Sequence, residues 1–152
     1  MKPPFFFFFF SVRKALAGLS LGLAALLAAP AAQADAALYE SFGGEAGLAR
    51  VVDDFVANLT SDPRTQPYFA KTSIKRFRAK LNEHFCAELG GPCTYTGSSM
   101  ASVHKNLQID RAAFNAVVEN LQDAMDKNGV GFGAQNALLA RLAPLHRQIE
   151  TR

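Results

Sequence analysis

Residues 45–59 read EAGLARVVDDFVANL, and their pattern establishes the fold class. Apolar side chains recur at steps of three and four, the spacing that places them on one face of a helix. They are Leu48, Val51, Val52, Phe55, Val56 and Leu59. Gly43-Gly44 permits a sharp turn before this stretch, and Asp62-Pro63 ends the pattern after it. The sequence therefore predicts an amphipathic helix with one face in a core.

The same spacing recurs along the rest of the chain. Further helices are predicted over 73–89, 110–128 and about 134–149, with a short helix that carries His104 and begins at Ser98 or Ser99. Gly90-Gly91-Pro92 ends the first of these, Asp110 is a good N-cap for the second, and Pro144 predicts a kink or an early end in the third. Since no segment alternates apolar and polar residues convincingly, we predict an all-α domain over 35–152.

Residues 1–34 have the organisation of a secretory signal peptide. The basic pair Arg13-Lys14 precedes Ala15 to Ala29, which are almost entirely Ala, Leu and Gly, and Ala32-Gln33-Ala34 is a small-residue cleavage pattern. The alternative is an uncleaved anchor, although a membrane helix needs about 20 apolar residues. We therefore expect a periplasmic or secreted protein, associated with a membrane only through an uncleaved signal.

Charge and cysteine content narrow the function classes. Residues 1–34 hold three of the 16 basic side chains and no acidic one, so 13 basic and 13 acidic groups remain after cleavage. The chain after cleavage therefore has no excess of basic residues that would indicate nucleic-acid binding.

Cys86 and Cys93 can form a disulfide in an exported protein or remain two free thiols. Their separation of seven residues is compatible with both alternatives.

His104 is the candidate metal ligand among three histidines, the others being His84 and His146. No HExxH or CxxC spacing completes a zinc site around it. A metal bound by His104 must therefore bring most of its ligands with it. Haem does so, because the porphyrin supplies four nitrogens and the protein adds one imidazole.

From Leu38 to Leu145 the chain resembles the group 1 truncated haemoglobins. The matching stretches are Leu38-Tyr39-Glu40 with Gly43-Gly44, Val51-Val52-Asp53-Asp54-Phe55, Tyr68-Phe69, Gly90-Gly91-Pro92 with Tyr95-Thr96-Gly97, Met100 with Val103-His104, and then Ile109, Phe114 and Gly129-Val130. Each stretch alone is weak, but together they cover most of residues 35–152 in order.

The resemblance implies a two-over-two helical sandwich that binds haem b. His104 would be the proximal iron ligand, with its other nitrogen held by a backbone carbonyl or water. The remaining cofactor contacts it implies are Phe69, Phe77, Arg78, Leu81, Phe85, Tyr95, Met100, Val103, Ile109, Phe114 and Val118. Arg78 or Lys80 could reach the haem propionates. The ordinary alternative is core packing for the apolar residues, and for Arg78 and Lys80 it is a basic helix face in contact with solvent.

The distal side departs from the family pattern. Family members commonly place a Tyr after the residue that matches Phe55, and a polar group on the distal helix. Here the corresponding residues are Val56, Phe77 and Leu81, which offer no donor to bound oxygen. Oxygen release and autoxidation should therefore be fast. His84 or Lys80, on the same helix, could supply a sixth ligand.

The leading hypothesis is an exported globin that reversibly binds oxygen, NO or CO. One alternative is a nitric oxide dioxygenase or peroxidase-like enzyme at the same iron, which would need a separate reductase because the chain has no flavin or nicotinamide motif. The other alternative is a haem-free helical module that keeps the fold for interaction with a partner.

Overall fold

The computed structural model describes residues 35–151, so the predicted signal segment 1–34 lies outside the described residues. Residues 35–41 are helical (α1). The helices that follow are α2 (Gly44–Ser61), α3 (Gln66–Phe69), α4 (Ile74–Glu88), α5 (Met100–Val103), α6 (Arg111–Lys127), α7 (Phe132–Leu142) and α8 (His146–Ile149). A 3₁₀ turn, Ala143–Leu145, separates α7 from α8. The predicted all-α fold is confirmed, and Pro144 ends the last long helix as expected.

The architecture is a sandwich in which α2 and α4 form one layer and α6 and α7 the other. Helix α2 packs against both α4 and α6, and α4 also contacts α7. All six apolar residues of the 45–59 stretch are buried in one core. Leu89 from the end of α4, Leu121 and Met125 from α6, and Leu138 from α7 complete that core. This is the two-over-two globin arrangement that the sequence predicts.

Capping side chains define where the helices begin. The Asp110 carboxylate accepts a hydrogen bond of 2.8 Å from the Ala113 N–H at the start of α6, and the Ser99 side chain accepts from the Ser102 N–H at the start of α5. Both contacts satisfy N–H groups that a helix leaves free in its first turn. Gly43 and Gly44 adopt positive φ angles of 81° and 58° between α1 and α2, which only glycine tolerates easily.

A polar cluster joins the end of α2 to α6. The Asp62 carboxylate accepts hydrogen bonds from the Arg64 guanidinium at 2.8 Å and from Asn120 Nδ2 at 2.9 Å. Arg64 also pairs with Glu119 of α6 at 2.6 Å. Asn58 of α2 donates to the Asn120 carbonyl at 3.1 Å. These contacts hold the two helices at the end of their shared interface.

Cys86 and Cys93 form a disulfide, with Cα atoms 5.8 Å apart, which settles the alternative left open by the sequence. Cys86 lies in the last turn of α4, and Cys93 lies in the loop that leads toward α5.

Within residues 35–151, no helix has both the length and the apolar character needed to cross a membrane.

Candidate functional site

The single-turn helix α5 presents His104 at its C-terminal end. The Nδ1–H of His104 donates a hydrogen bond of 2.8 Å to the Met100 carbonyl. A carbonyl can only accept, so this contact places the proton on Nδ1. Nε2 then keeps its lone pair, which is the form of imidazole that coordinates a metal. The bond also restrains the rotation of the ring, as the partners of metal-bound histidines do.

The chain that follows His104 is held in a tight conformation. Asn106 and Gln108 adopt left-handed φ angles of 66° and 54°, which are uncommon for residues other than glycine. Ile109 is buried, and its backbone is bonded to Thr151 in both directions, at 2.9 and 3.1 Å. The C-terminal segment therefore anchors the loop that positions His104.

Around this helix the apolar side chains are incompletely buried. Val103 is 50% exposed and Leu107 is 38% exposed, whereas side chains of this kind are usually inside. On α4, Phe77 and Leu81 are only partly buried against the core, and the Phe77 ring packs at a tilt against Phe69 with ring centroids 5.0 Å apart. The result is apolar surface on α4 and α5 that a flat hydrophobic cofactor could cover.

The other predicted cofactor contacts divide into two groups. Met100, Phe114 and Val118 are half-buried, so part of each side chain is available to contact a cofactor. The Phe114 ring meets the His146 ring edge to face, with centroids 4.9 Å apart. Val56 and Phe85, in contrast, are 1% and 3% exposed and belong to the main core. Phe85 stacks on Phe55 of α2 with centroids 6.0 Å apart, so packing within the protein already occupies its ring.

Arg78 and Lys80, the basic groups expected to reach a propionate, are both paired with carboxylates of the protein. Arg78 pairs with Asp53 of α2 at 2.7 Å. Lys80 donates to Glu83 at 2.7 Å and to Thr96 Oγ1 at 2.6 Å. Arg78 therefore points toward α2, and Lys80 points toward Glu83 on its own helix and toward the loop that follows.

Tyr95 packs against α4, a contact that sequence reasoning did not anticipate. Its ring centroid lies 5.1 Å from that of His84, and its hydroxyl donates to the Ser98 carbonyl at 2.8 Å. Beside it, Glu83 accepts hydrogen bonds from Lys80 and from the Thr96 backbone and side chain, and these lower the Glu83 pKa to about 2. No sequence signal pairs these residues, since the loop between them could follow many paths.

Among residues 35–151, no group of three or more His, Cys, Asp or Glu side chains could hold a metal ion. The described chain thus offers His104 as a single imidazole beside apolar surface. That combination fits haem, whose porphyrin occupies four coordination positions of the iron.

The comparisons with known proteins agree with this geometry. Residues 37–151 match the family described as bacterial-like globin. Over 116 residues the chain is 34% identical to the group 1 truncated hemoglobin GlbN of Mycolicibacterium paratuberculosis, covering 76% of this chain and 85% of that protein. The chain belongs to the group 1 truncated haemoglobins. A group 1 truncated hemoglobin of Tetrahymena thermophila is also 34% identical, over 61% of this chain and 77% of that protein.

Solved structures place this truncated haemoglobin in the same fold. The truncated hemoglobin of Tetrahymena pyriformis in its Fe(III) form superimposes with a TM-score of 0.72 at 24% identity, covering 76% of this chain and 98% of that one. The 2/2 hemoglobin of Synechococcus sp. PCC 7002 superimposes with a TM-score of 0.70 at 21% identity, with the same coverage. Globins are haem-iron proteins, and haem b is the standard cofactor of the family.

Proposed function

We propose that this truncated globin binds haem b through His104 and reversibly binds oxygen or another diatomic gas at the iron. The observation that carries the proposal is the hydrogen bond between His104 Nδ1 and the Met100 carbonyl. It fixes the tautomer that leaves Nε2 as a ligand, on a turn flanked by exposed apolar side chains. When bound, haem supplies a ferrous centre at which a diatomic gas coordinates.

The chain's own residues would orient and shield this centre. The Met100 carbonyl would hold the His104 ring in position by accepting a hydrogen bond from its Nδ1–H. Val103, Leu107, Phe77 and Leu81 would lose their solvent contact against the porphyrin, and burial of apolar surface contributes about 25 cal/mol per Å². The apolar distal residues exclude water but offer bound oxygen no hydrogen bond, so oxygen is expected to leave quickly.

Haem titration of the full chain tests the proposal. We expect stoichiometric uptake, with a sharp Soret band that shifts when CO is added to the dithionite-reduced protein. His104→Gly should lose the normal spectrum and recover it in the presence of free imidazole, because imidazole can occupy the vacated position. His146→Gly is the matched control, since His146 contacts Glu150 and Phe114 and should leave the spectrum unchanged.

A wild-type chain that takes up no stoichiometric haem would overturn the proposal. So would a His104→Gly variant with an unaltered spectrum, because another residue would then hold the iron.

We further propose that the protein is exported through a cleaved signal at 1–34. The Cys86–Cys93 disulfide supports this, because disulfides persist in oxidising compartments and are rare in reducing ones. Cell fractionation followed by N-terminal sequencing tests it. Recovery of a chain beginning near Asp35 from the periplasm or medium is expected, and a cytosolic chain that retains its first residues would contradict it.

A further inference from the structure

A polar cavity of about 690 Å³ lies between the loop that follows α5 and the C-terminal segment. That volume is typical of small-molecule sites, which span roughly 300–1,000 Å³. Neither His104 nor any apolar side chain assigned above to haem lines it, so the cavity is separate from the proposed haem surface. Six of its seven lining residues are polar: Lys105, Asn106 and Gln108 on one side, and Arg147, Gln148 and Thr151 on the other.

The charge of this cavity is positive. Lys105 and Arg147 contribute one cation from each wall, and no lining residue is acidic. Within residues 35–151 neither cation forms an ion pair with a carboxylate. The carboxylates nearest to them in sequence are already engaged, since Asp110 caps α6 and Glu150 contacts His146. Two positive charges therefore remain for a ligand.

Hydrogen-bond donors accompany these charges. The side-chain amides of Asn106, Gln108 and Gln148 each carry two N–H groups. The Thr151 hydroxyl accepts from the Ile109 N–H at 3.1 Å, so its own proton is still available to a ligand. Ammonium and guanidinium groups bind phosphate and carboxylate, and the planar guanidinium can do so with two parallel hydrogen bonds. The lining is therefore suited to a small anion.

Both walls of the cavity are held by the backbone. Asn106 and Gln108 adopt left-handed φ angles of 66° and 54°, which persist in such residues only where the surrounding structure enforces them. The Thr151 N–H donates to the Ile109 carbonyl at 2.9 Å, which joins the C-terminal segment to the loop. An anion between the walls would add a second connection, directly after His104 in the chain.

We propose that this cavity binds a small anion that carries two or more negative charges on phosphate or carboxylate groups. The anion lies between Lys105 and Arg147, and its binding restrains residues 105–109. The inference requires no haem and does not depend on the proposed function.

Isothermal titration calorimetry of the full chain in low-salt buffer tests the site, with inorganic pyrophosphate and citrate as separate probes. Wild type is expected to bind at least one probe, and the tighter of the two identifies phosphate or carboxylate as the recognised group. Lys105→Met combined with Arg147→Met should weaken binding by about tenfold or more, because both charges are removed. Arg50→Met combined with Lys71→Met is the matched control. It removes the same net charge from exposed positions outside the cavity and should bind as wild type does.

A conservative variant and a second measurement guard against loss of the fold. Gln148→Glu keeps the size of an exposed side chain and adds one negative charge to the wall, so binding should weaken here too. Hydrogen exchange localises the site. The bound probe should slow exchange of the amide protons of residues 105–109 in wild type, but not in the variant that lacks Lys105 and Arg147.

Absence of binding to wild type at millimolar concentrations of either probe would overturn the inference. Equal weakening in the two double variants would also overturn it, because net charge instead of the cavity would then hold the anion. Binding without slower exchange at 105–109 would place the anion elsewhere on the surface, with the same consequence. A chain that takes up no haem but shows the expected binding and exchange would contradict the proposed function and leave this inference standing.

Discussion

Cys93 is joined to Cys86 by a disulfide, so the loop after α4 is covalently fixed to the helix that carries Phe77 and Leu81. The same loop is held a second time by Thr96, whose N–H and hydroxyl both donate to the Glu83 carboxylate, at 3.0 and 2.8 Å. Tyr95 lies between these two attachments and packs on His84. The path of the chain from α4 toward His104 is therefore strongly restrained.

Removing the disulfide with Cys86→Ala and Cys93→Ser together should lower the free energy of unfolding by about 2–3 kcal/mol, the value that the chain-entropy model gives for so short a loop. Urea denaturation with and without dithiothreitol measures it. The reductant should bring wild type to the midpoint of the variant and leave the variant unmoved. Equal midpoints for wild type in both conditions would show that the bond contributes nothing.

Stability in acid should depend on Asp62. Hydrogen bonds from the Arg64 side chain and backbone hold the Asp62 pKa well below its usual value of 3.8. A carboxylate with a lowered folded pKa contributes stability that is complete above the unfolded pKa and is lost as the pH falls below it. The stability difference between wild type and Asp62→Asn should therefore shrink as the pH falls from about 5 toward 2. Asp123→Asn, at an exposed position on α6, should show no such convergence.

Adding a donor to the distal face should retain oxygen. In Leu81→Gln the amide could donate to bound oxygen, and a hydrogen bond to a charged acceptor contributes about 1.5–3 kcal/mol. We expect oxygen dissociation to slow by about tenfold, since ~1.4 kcal/mol corresponds to a factor of ten. Leu81→Met is the apolar control of similar volume. Oxygen dissociation that is equally fast in both variants would place residue 81 away from the bound gas.

Two glycines should respond to alanine in opposite directions. A Cβ at Gly47, buried in α2, would lie 1.9 Å from the Phe42 carbonyl oxygen, whereas a Cβ at Gly133 in α7 would meet nothing within 4 Å. Gly47→Ala should cost about 1–3 kcal/mol, the usual penalty for overpacking. Gly133→Ala should stabilise by about 0.5 kcal/mol, because alanine is the better helix former. Denaturation midpoints that shift in the same direction would contradict this reasoning.

The helices were readable from sequence because their signals are local. The predicted 73–89 helix is observed as Ile74–Glu88, and the predicted cap Asp110 does accept from the Ala113 N–H. The position of His104 at the end of a short turn was also expected from the family resemblance. Its hydrogen bond to Met100 spans only four residues, so that contact too depends on local backbone geometry.

Contacts between distant residues could not be read in this way. The ion pair of Arg78 with Asp53, the disulfide and the contact of Tyr95 with His84 all depend on how α4 lies against α2 and on the path of the following loop. Helix periodicity specifies which residues share a face, and caps specify where a face ends. Neither specifies the distance between two faces, because that distance follows from packing the whole core. Local chemistry therefore established the helices and the candidate ligand His104, and packing established which groups surround α4.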